Sequence, residues 1–329
     1  MASKPGHVKT RFLVISDTHS ASPEQNVNRN GAPFRPPLPK ADVLLHCGDL
    51  TMIGLLQEYE KTLDMLGSID AELKLVIAGN HDLTLDDVYY QRKGPYMHRS
   101  HGFDPQMPVK AKEMWTGERA RRAGVTYLEE GTHTFRLANG AQLRVYASPY
   151  QPEFCDWAFP YFRHEDRYNP SHQCTPNSVP IADNPIPNFP AIDVMMTHGP
   201  PAGILDATRT GEKVGCVHLL RAARRCKPRL HCFGHIHEGW GAQKLRWKEG
   251  DDMDVKVEEH VESVADIEPD EEKMLEQRAA KVDISSGSAT AVEFGKETLM
   301  VNASIMTVSY RPWNAPWLID MDLETAANV

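Results

Sequence analysis

Five short polar motifs each follow a run of apolar, strand-forming residues. They are Asp17-Thr-His19, Gly48-Asp49, Gly79-Asn80-His81-Asp82, Thr197-His198-Gly199 and Gly234-His235-Ile236-His237. Carboxylate, amide and imidazole groups delivered together suit hard-to-borderline divalent metals. Residues two apart on a strand point to one side, so Asp17 and His19 are expected to face one ion. Asp49 has two oxygens and can bridge two ions. His237 can turn to the ion held by Asp17 and His19, while Asn80, His198 and His235 form a second set. Paired ions of this kind, about 3.5–4 Å apart, clamp the attacking and leaving oxygens of an in-line phosphoryl displacement. A hydroxide between them is the natural nucleophile, because metal binding lowers a water pKa towards neutrality. His81, next to a ligand but off the ions, can give a proton to the leaving oxygen.

These groups need a scaffold that presents strand ends on one edge, which is where open α/β sheets place their sites. The preceding runs read as buried strands: 11–16, 42–46, 73–78, 192–196 and 229–233. Helical spacing covers 52–66, 110–124 (ended by Gly124) and 217–226 (ended by Pro228), and 134–137 with 142–147 form a hairpin candidate. The pattern predicts an α/β sandwich in one domain over 1–329. Ser20 to Lys40 and the Pro- and aromatic-rich segment 150–190 read as loops on the motif side, where they can border a cleft.

The 329 residues carry a formal net charge of −9, but its distribution is uneven. The segment 248–281 holds 13 Asp or Glu against 5 Lys or Arg, leaving 32 acids and 31 bases elsewhere. It reads as an acidic insertion, an exposed helix or a disordered excursion. No basic stripe offers a broad nucleic-acid surface. No apolar run approaches the roughly 20 residues of a membrane span. The amino terminus lacks the apolar core of a signal peptide, and the six cysteines form no CxxC pair. A cytoplasmic protein with reduced thiols and no zinc knuckle is therefore expected.

Taken together, the motifs resemble the calcineurin-like metallophosphoesterase superfamily, over residues 11 to 241 and in that family's order. Residues 147–159, Thr197-His-Gly-Pro-Pro201, 234–241 and Val301-Asn-Ala-Ser304 resemble one subfamily, the metallophosphoesterase-domain-containing, brain-protein-239-like group. That group is similar to class III cyclic nucleotide phosphodiesterases. The resemblance implies a four-layer α/β/β/α sandwich, two divalent metals (Mn, Fe, Zn or Co, with Mn favoured for activity) and phosphodiesterase activity. A small-molecule phosphodiester or nucleotide is the expected substrate, and no protein partner is indicated. Met52 and Ile53 stand where many members carry an Asp and phosphoprotein phosphatases an Arg, so no carboxylate orients His81 and no arginine awaits a monoester dianion. Some animal relatives lose the first His of Gly-His-x-His and are poor enzymes; this chain keeps His235.

Two other readings stay open: a monoesterase or nuclease on the same ligands, and a metal- or nucleotide-binding regulator with little turnover. His46 and His231 lie in strand patterns and read as core histidines. His98, His101, His164 and His172 fall in loops and read as exposed, and His218 falls on a helix. The aromatics at 154–162 could stack a nucleobase or pack a long loop against the body.

Overall fold

The computed structural model describes residues 6–29, 31–250 and 256–326. Chain order begins β1 (His7–Ile15), β2 (Ala41–Cys47), α1 (Leu56–Ser68), β3 (Ala71–Ile77), α2 (Asp87–Met97), α3 (Met107–Thr116) and α4 (Glu118–Ala123). Next come β4 (Val125–Tyr127), β5 (Gly131–Arg136) and β6 (Gln142–Ser148), then four two-residue strands: β7 (Gln151–Pro152), β8 (Pro160–Tyr161), β9 (Glu165–Asp166) and β10 (Val179–Pro180). After them run β11 (Val194–Thr197), α5 (Val217–Cys226), β12 (Leu230–Phe233) and β13 (Gly241–Trp247). The chain closes with β14 (Val261–Asp266), α6 (Glu271–Gln277), β15 (Ala280–Asp283), β16 (Glu297–Asn302) and β17 (Trp317–Glu324).

Two sheets carry the fold, ordered β15-β17-β1-β2-β3-β4 and β14-β13-β16-β12-β11-β6-β5. Their central strands are apolar on both faces, as parallel strands covered on both sides must be. In β1, Phe12 and Val14 join the core between the sheets, while Leu13 and Ile15 pack with Tyr59, Leu63 and Trp115 of the helices outside. The second sheet repeats the pattern: Val194, Met196 and Leu230 face inwards, and Met195 meets Leu219 and Ala222 of α5. The result is the α/β/β/α sandwich expected. β1, β2 and β3 run parallel, as do β6, β11, β12 and β16, so both sheets present carboxyl ends to the same edge.

At that edge the sheets touch. Ser16 and Ser304 form a parallel bridge, in which Ser16 N–H donates to Ala303 O (2.9 Å) and Ile305 N–H to Ser16 O (2.9 Å).

Several elements differ from the sequence-based expectation. The helix expected from 52 starts at Leu56, because the Met52, Ile53 and Leu55 N–H groups donate to the Glu58 carboxylate instead (2.9–3.2 Å). The helix expected over 110–124 is two helices broken at Gly117, the second ended by Gly124 in left-handed conformation, φ 71°. Of the acidic stretch, 251–255 lie outside the described residues. The remainder supplies β14 and β15, an edge strand for each sheet, with an exposed α6 between. The 150–190 segment is pinned by two short ladders and by Asp166, which is buried against Asn169 (3.0 Å) and Arg221 (3.4 Å).

Candidate metal centre

The loops after β1, β2, β3, β11 and β12 bring Asp17, His19, Asp49, Asn80, His81, His198, His235 and His237 into one cleft. Ligand atoms of Asp17, His19 and His237 lie within 4.8 Å of one another, and so do those of Asp49, His198 and His235. A third such group joins His19, Asp49 and His81. Asp49 stands between the sets, with Oδ2 3.6 Å from His19 Nε2 and Oδ1 3.4 Å from His198 Nε2. His237 Nε2 is 3.5 Å from Asp17 Oδ1, and His198 Nε2 is 2.8 Å from Asn80 Oδ1.

Strand alternation is not what unites Asp17 and His19. β1 ends at Ile15, and both residues lie in left-handed backbone (φ 51° and 45°), as do Asp49 (52°) and His235 (66°). Left-handed non-glycine residues are uncommon and gather at functional sites. Close approach explains two glycines. A Cβ on Gly79 would run into Asp49 and the His198 ring; one on Gly234 would strike Asp17 and Ser16.

Four imidazoles are aimed by backbone carbonyls. Nδ1 of His19 faces Thr51 O (2.8 Å), His81 faces Met52 O (2.7 Å), His198 faces Cys47 O (2.9 Å) and His237 faces Thr307 O (3.2 Å). A carbonyl only accepts, so each Nδ1 carries a proton and each Nε2 is turned towards the cleft. The carboxylate missing at Met52 is thus replaced by the Met52 carbonyl as the group that orients His81. Trp157 covers that ring, centroids 4.1 Å apart and 30° between planes.

This donor set fits cations. His19 Nε2 is buried and has no hydrogen-bond partner. His198 Nε2 lies 2.8 Å from Asn80 Oδ1, and His19 Nε2 faces the Asp49 carboxylate across 3.6 Å. Neighbouring ligands on an ion with bonds near 2.1 Å stand roughly 3 Å apart, close to these spacings. Charge leads to the same conclusion. Burial, with Asp17 and Asp82 nearby and His198 only partly offsetting, pushes the Asp49 carboxyl up to about 8. Burial and neighbouring imidazoles hold His19 and His235 well below the ordinary histidine range. Burial also opposes charge on His237, but Asp17 more than offsets it and leaves His237 raised. Asp49, buried beside imidazoles such as His19 and His235 that burial keeps from protonating, is a carboxylate whose ionised form a divalent ion would stabilise.

Sequence reasoning missed the supports. Asp82 accepts from Leu50 N–H (3.1 Å), Thr51 N–H (3.0 Å), Thr51 O–H (2.8 Å) and Gly79 N–H (2.8 Å), tying two ligand loops together. Ser304 O–H donates to Asp17 Oδ2 (3.0 Å), and Asn302 Nδ2–H to Ile236 O (2.8 Å). His98, expected in solvent, is buried with its nitrogens against Tyr90 OH (2.8 Å) and Ile53 O (2.6 Å), bracing the loop that orients His81. Asp82 stands in the Gly79–Asp82 motif, and Asn302 and Ser304 in the Val301–Ser304 motif, but neither motif announced these supporting roles.

His46 and His231 are buried, as expected. Each bonds a threonine hydroxyl through Nε2 (Thr18 and Thr197, both 2.9 Å) and leaves Nδ1 unpartnered. His218 is also buried, 3.3 Å from Asp166. The six cysteines are free. Of the loop aromatics, Phe159 and Tyr161 pack inwards, while Phe154 stays 56% exposed beside His235.

The cleft has a volume of about 300 Å³ and is walled by Phe154, Arg163, Val214, Glu238, Val308 and Tyr310. Arg163 is held by Val214 O (3.0 Å) and Gly215 O (3.3 Å). No helix among the described residues is long and apolar enough to cross a membrane.

The calcineurin-like phosphoesterase family profile matches residues 10–239. The chain is 31% identical over 321 residues to metallophosphoesterase domain-containing protein 1 of Homo sapiens, and equally to that of Mus musculus. Those matches cover 96% of this chain and 72% of each relative. A UPF0046 protein of Caenorhabditis elegans is 29% identical over 246 residues, covering 72% of this chain and 53% of the relative.

Proposed function

The chain belongs to the calcineurin-like phosphoesterase family, and from that premise we propose that it is a dinuclear, metal-dependent phosphodiesterase. Cyclic nucleotides are its leading substrate class and Mn²⁺ its favoured activating ion. The observation that carries the reading is Asp49, whose two oxygens face His19 on one side and His198 on the other. In this reading Asp17, His19 and His237 hold one ion, Asn80, His198 and His235 hold the other, and Asp49 is shared. Bound there, the ions supply Lewis acidity and a nucleophile of lowered pKa.

The chain's own residues do the rest. His81 has Nδ1–H fixed on Met52 O, which leaves Nε2 free to exchange a proton with the leaving oxygen. Trp157 over the ring limits water access on that face. The absence of charge at Met52 and Ile53 favours a monoanionic diester over a monoester dianion. Phe154 and Val308 offer apolar surface to the ester's organic group. Free thiols accord with a cytoplasmic setting.

The test is hydrolysis of bis(p-nitrophenyl) phosphate by chelator-stripped protein titrated with Mn²⁺, beside Asp49→Ala. Activity is expected to appear with metal and to vanish in the variant. Binding of metal with no turnover for any divalent ion would replace this reading with that of a regulator. Equal or better turnover of p-nitrophenyl phosphate would replace diesterase by monoesterase.

A further inference from the structure

One cleft residue has no part in the scheme above. Tyr310 lies in the turn at 307–310 between β16 and β17, and its ring faces three site imidazoles. Ring centroids are 5.0 Å from His19, 5.2 Å from His237 and 6.4 Å from His81. It lines the same cleft as Asp49, Asn80 and His235. Its φ is 54°, an outlier for a bulky side chain. Strain of this kind persists only where the surroundings impose it, and it concentrates where geometry serves a ligand.

The turn is well fixed. Tyr310 N–H donates to Thr307 O (2.8 Å), the same carbonyl that aims His237, and Thr307 N–H donates to Arg311 O (2.9 Å). The Tyr310 hydroxyl makes no hydrogen bond to a described residue, and the side chain is 45% exposed. A packing role would not require the hydroxyl, and a glycine would fill the turn without strain. What remains is a neutral O–H donor, protonated at physiological pH, held at the mouth of a site built for phosphoryl oxygens.

We propose that Tyr310 is a substrate-contacting residue whose phenol O–H donates a hydrogen bond to a phosphoryl oxygen of the bound ester. The proposal rests on the phosphoesterase reading above and adds a donor to it. A hydrogen bond to a charged oxygen in a partly dry site corresponds to roughly a tenfold effect or more.

The experiment compares wild type, Tyr310→Phe and Tyr310→Gly as Mn²⁺-loaded proteins. It measures kcat on bis(p-nitrophenyl) phosphate, Kd for inorganic phosphate by calorimetry, and Tm. For Tyr310→Phe, kcat is expected to fall about tenfold and the phosphate Kd to rise about tenfold, with Tm unchanged. Tyr310→Gly should show the same losses with Tm at or above wild type, because the left-handed strain is relieved. Wild-type kcat and Kd in Tyr310→Phe would overturn the proposal, and so would a fall in its Tm that tracks the activity loss. If the wild type hydrolyses no diester but Tyr310→Phe still weakens phosphate binding tenfold, the contact stands and the phosphodiesterase reading falls.

Discussion

The first sheet sends Asp17, His19, Asp49, Asn80 and His81 to the cleft; the second sends His198, His235 and His237. Each sheet steadies its ligand loop in the same way. A buried histidine on the next strand, His46 or His231, bonds the threonine hydroxyl beside a candidate ligand (Thr18 in the loop after β1, Thr197 at the end of β11), 2.9 Å away in both cases. The ligands themselves differ: both carboxylates come from the first sheet, and the second gives only imidazoles. Negative charge attracts a cation whatever its geometry, whereas neutral nitrogens select by distance and direction. In the proposed metal centre the first sheet would therefore supply the attraction, and the second direction alone, on scaffolds of matching design.

The sharpest way to break this division is to remove the group both sides share. Asp49→Ala should cost roughly 10³-fold or more in turnover of bis(p-nitrophenyl) phosphate, as expected when a transition-state charge partner is lost. Metal content measured on the purified variant should drop from two ions to at most one. Retention of two would show that the sheets bind independently.

A milder test leaves the protein intact and withdraws the cations. Mn²⁺ at 100 times its Kd should stabilise the fold by about 2.7 kcal/mol for each ion bound, over the chelated protein. Urea titration with and without chelator checks this. No difference would mean that the carboxylates of the first sheet are satisfied without metal.

The shared histidines sharpen the comparison through pH. Burial pushes His46 and His231 each down to about 3, although Asp17 pulls His46 slightly up. Unfolded, each would titrate near 6.5, so between pH 6.5 and 3 the unfolded chain binds more protons and stability falls as pH falls. Both groups are neutral in both states above pH 6.5, and this penalty is absent there. At pH 5 the loss should be about 2 kcal/mol per histidine, measured by urea titration of the chelated protein. A His46→Gln, His231→Gln double variant should lose that slope.

The smallest effect belongs to the threonines. Thr18→Val and Thr197→Val each leave a buried imidazole nitrogen unpaired, which costs about 1–2 kcal/mol. Unequal costs would show that the resemblance between the two supports is only geometric.

Legibility in the sequence divides along similar lines. The five strand-end motifs were readable because each joins a continuous apolar run, as a strand buried on both faces requires, to a cluster of chemistry-bearing side chains. α5 was readable to the residue, Val217–Cys226, because its apolar stripe is bounded by a clear stop. The break at Gly117 was not, since the helical pattern continues across it. β14 and β15 were hidden inside an acidic composition, which reports solvent exposure rather than pairing, and both are edge strands. The orientation of His81 escaped because a carbonyl from Met52 carries no side-chain signature. Tyr310 and His98 depend on neighbours distant in sequence, and neither spacing nor composition encodes them.

The contact between Ser304 O–H and Asp17 joins residues 287 positions apart. Closing so long a loop is entropically costly and slow, so contacts of this span form late. The cleft is then among the last parts of the molecule to assemble, and the unfolded chain holds no preformed site. Cations that bind there stabilise interactions absent from the folding transition state. Mn²⁺ should accordingly slow unfolding in proportion to its stabilisation and leave the refolding rate almost unchanged.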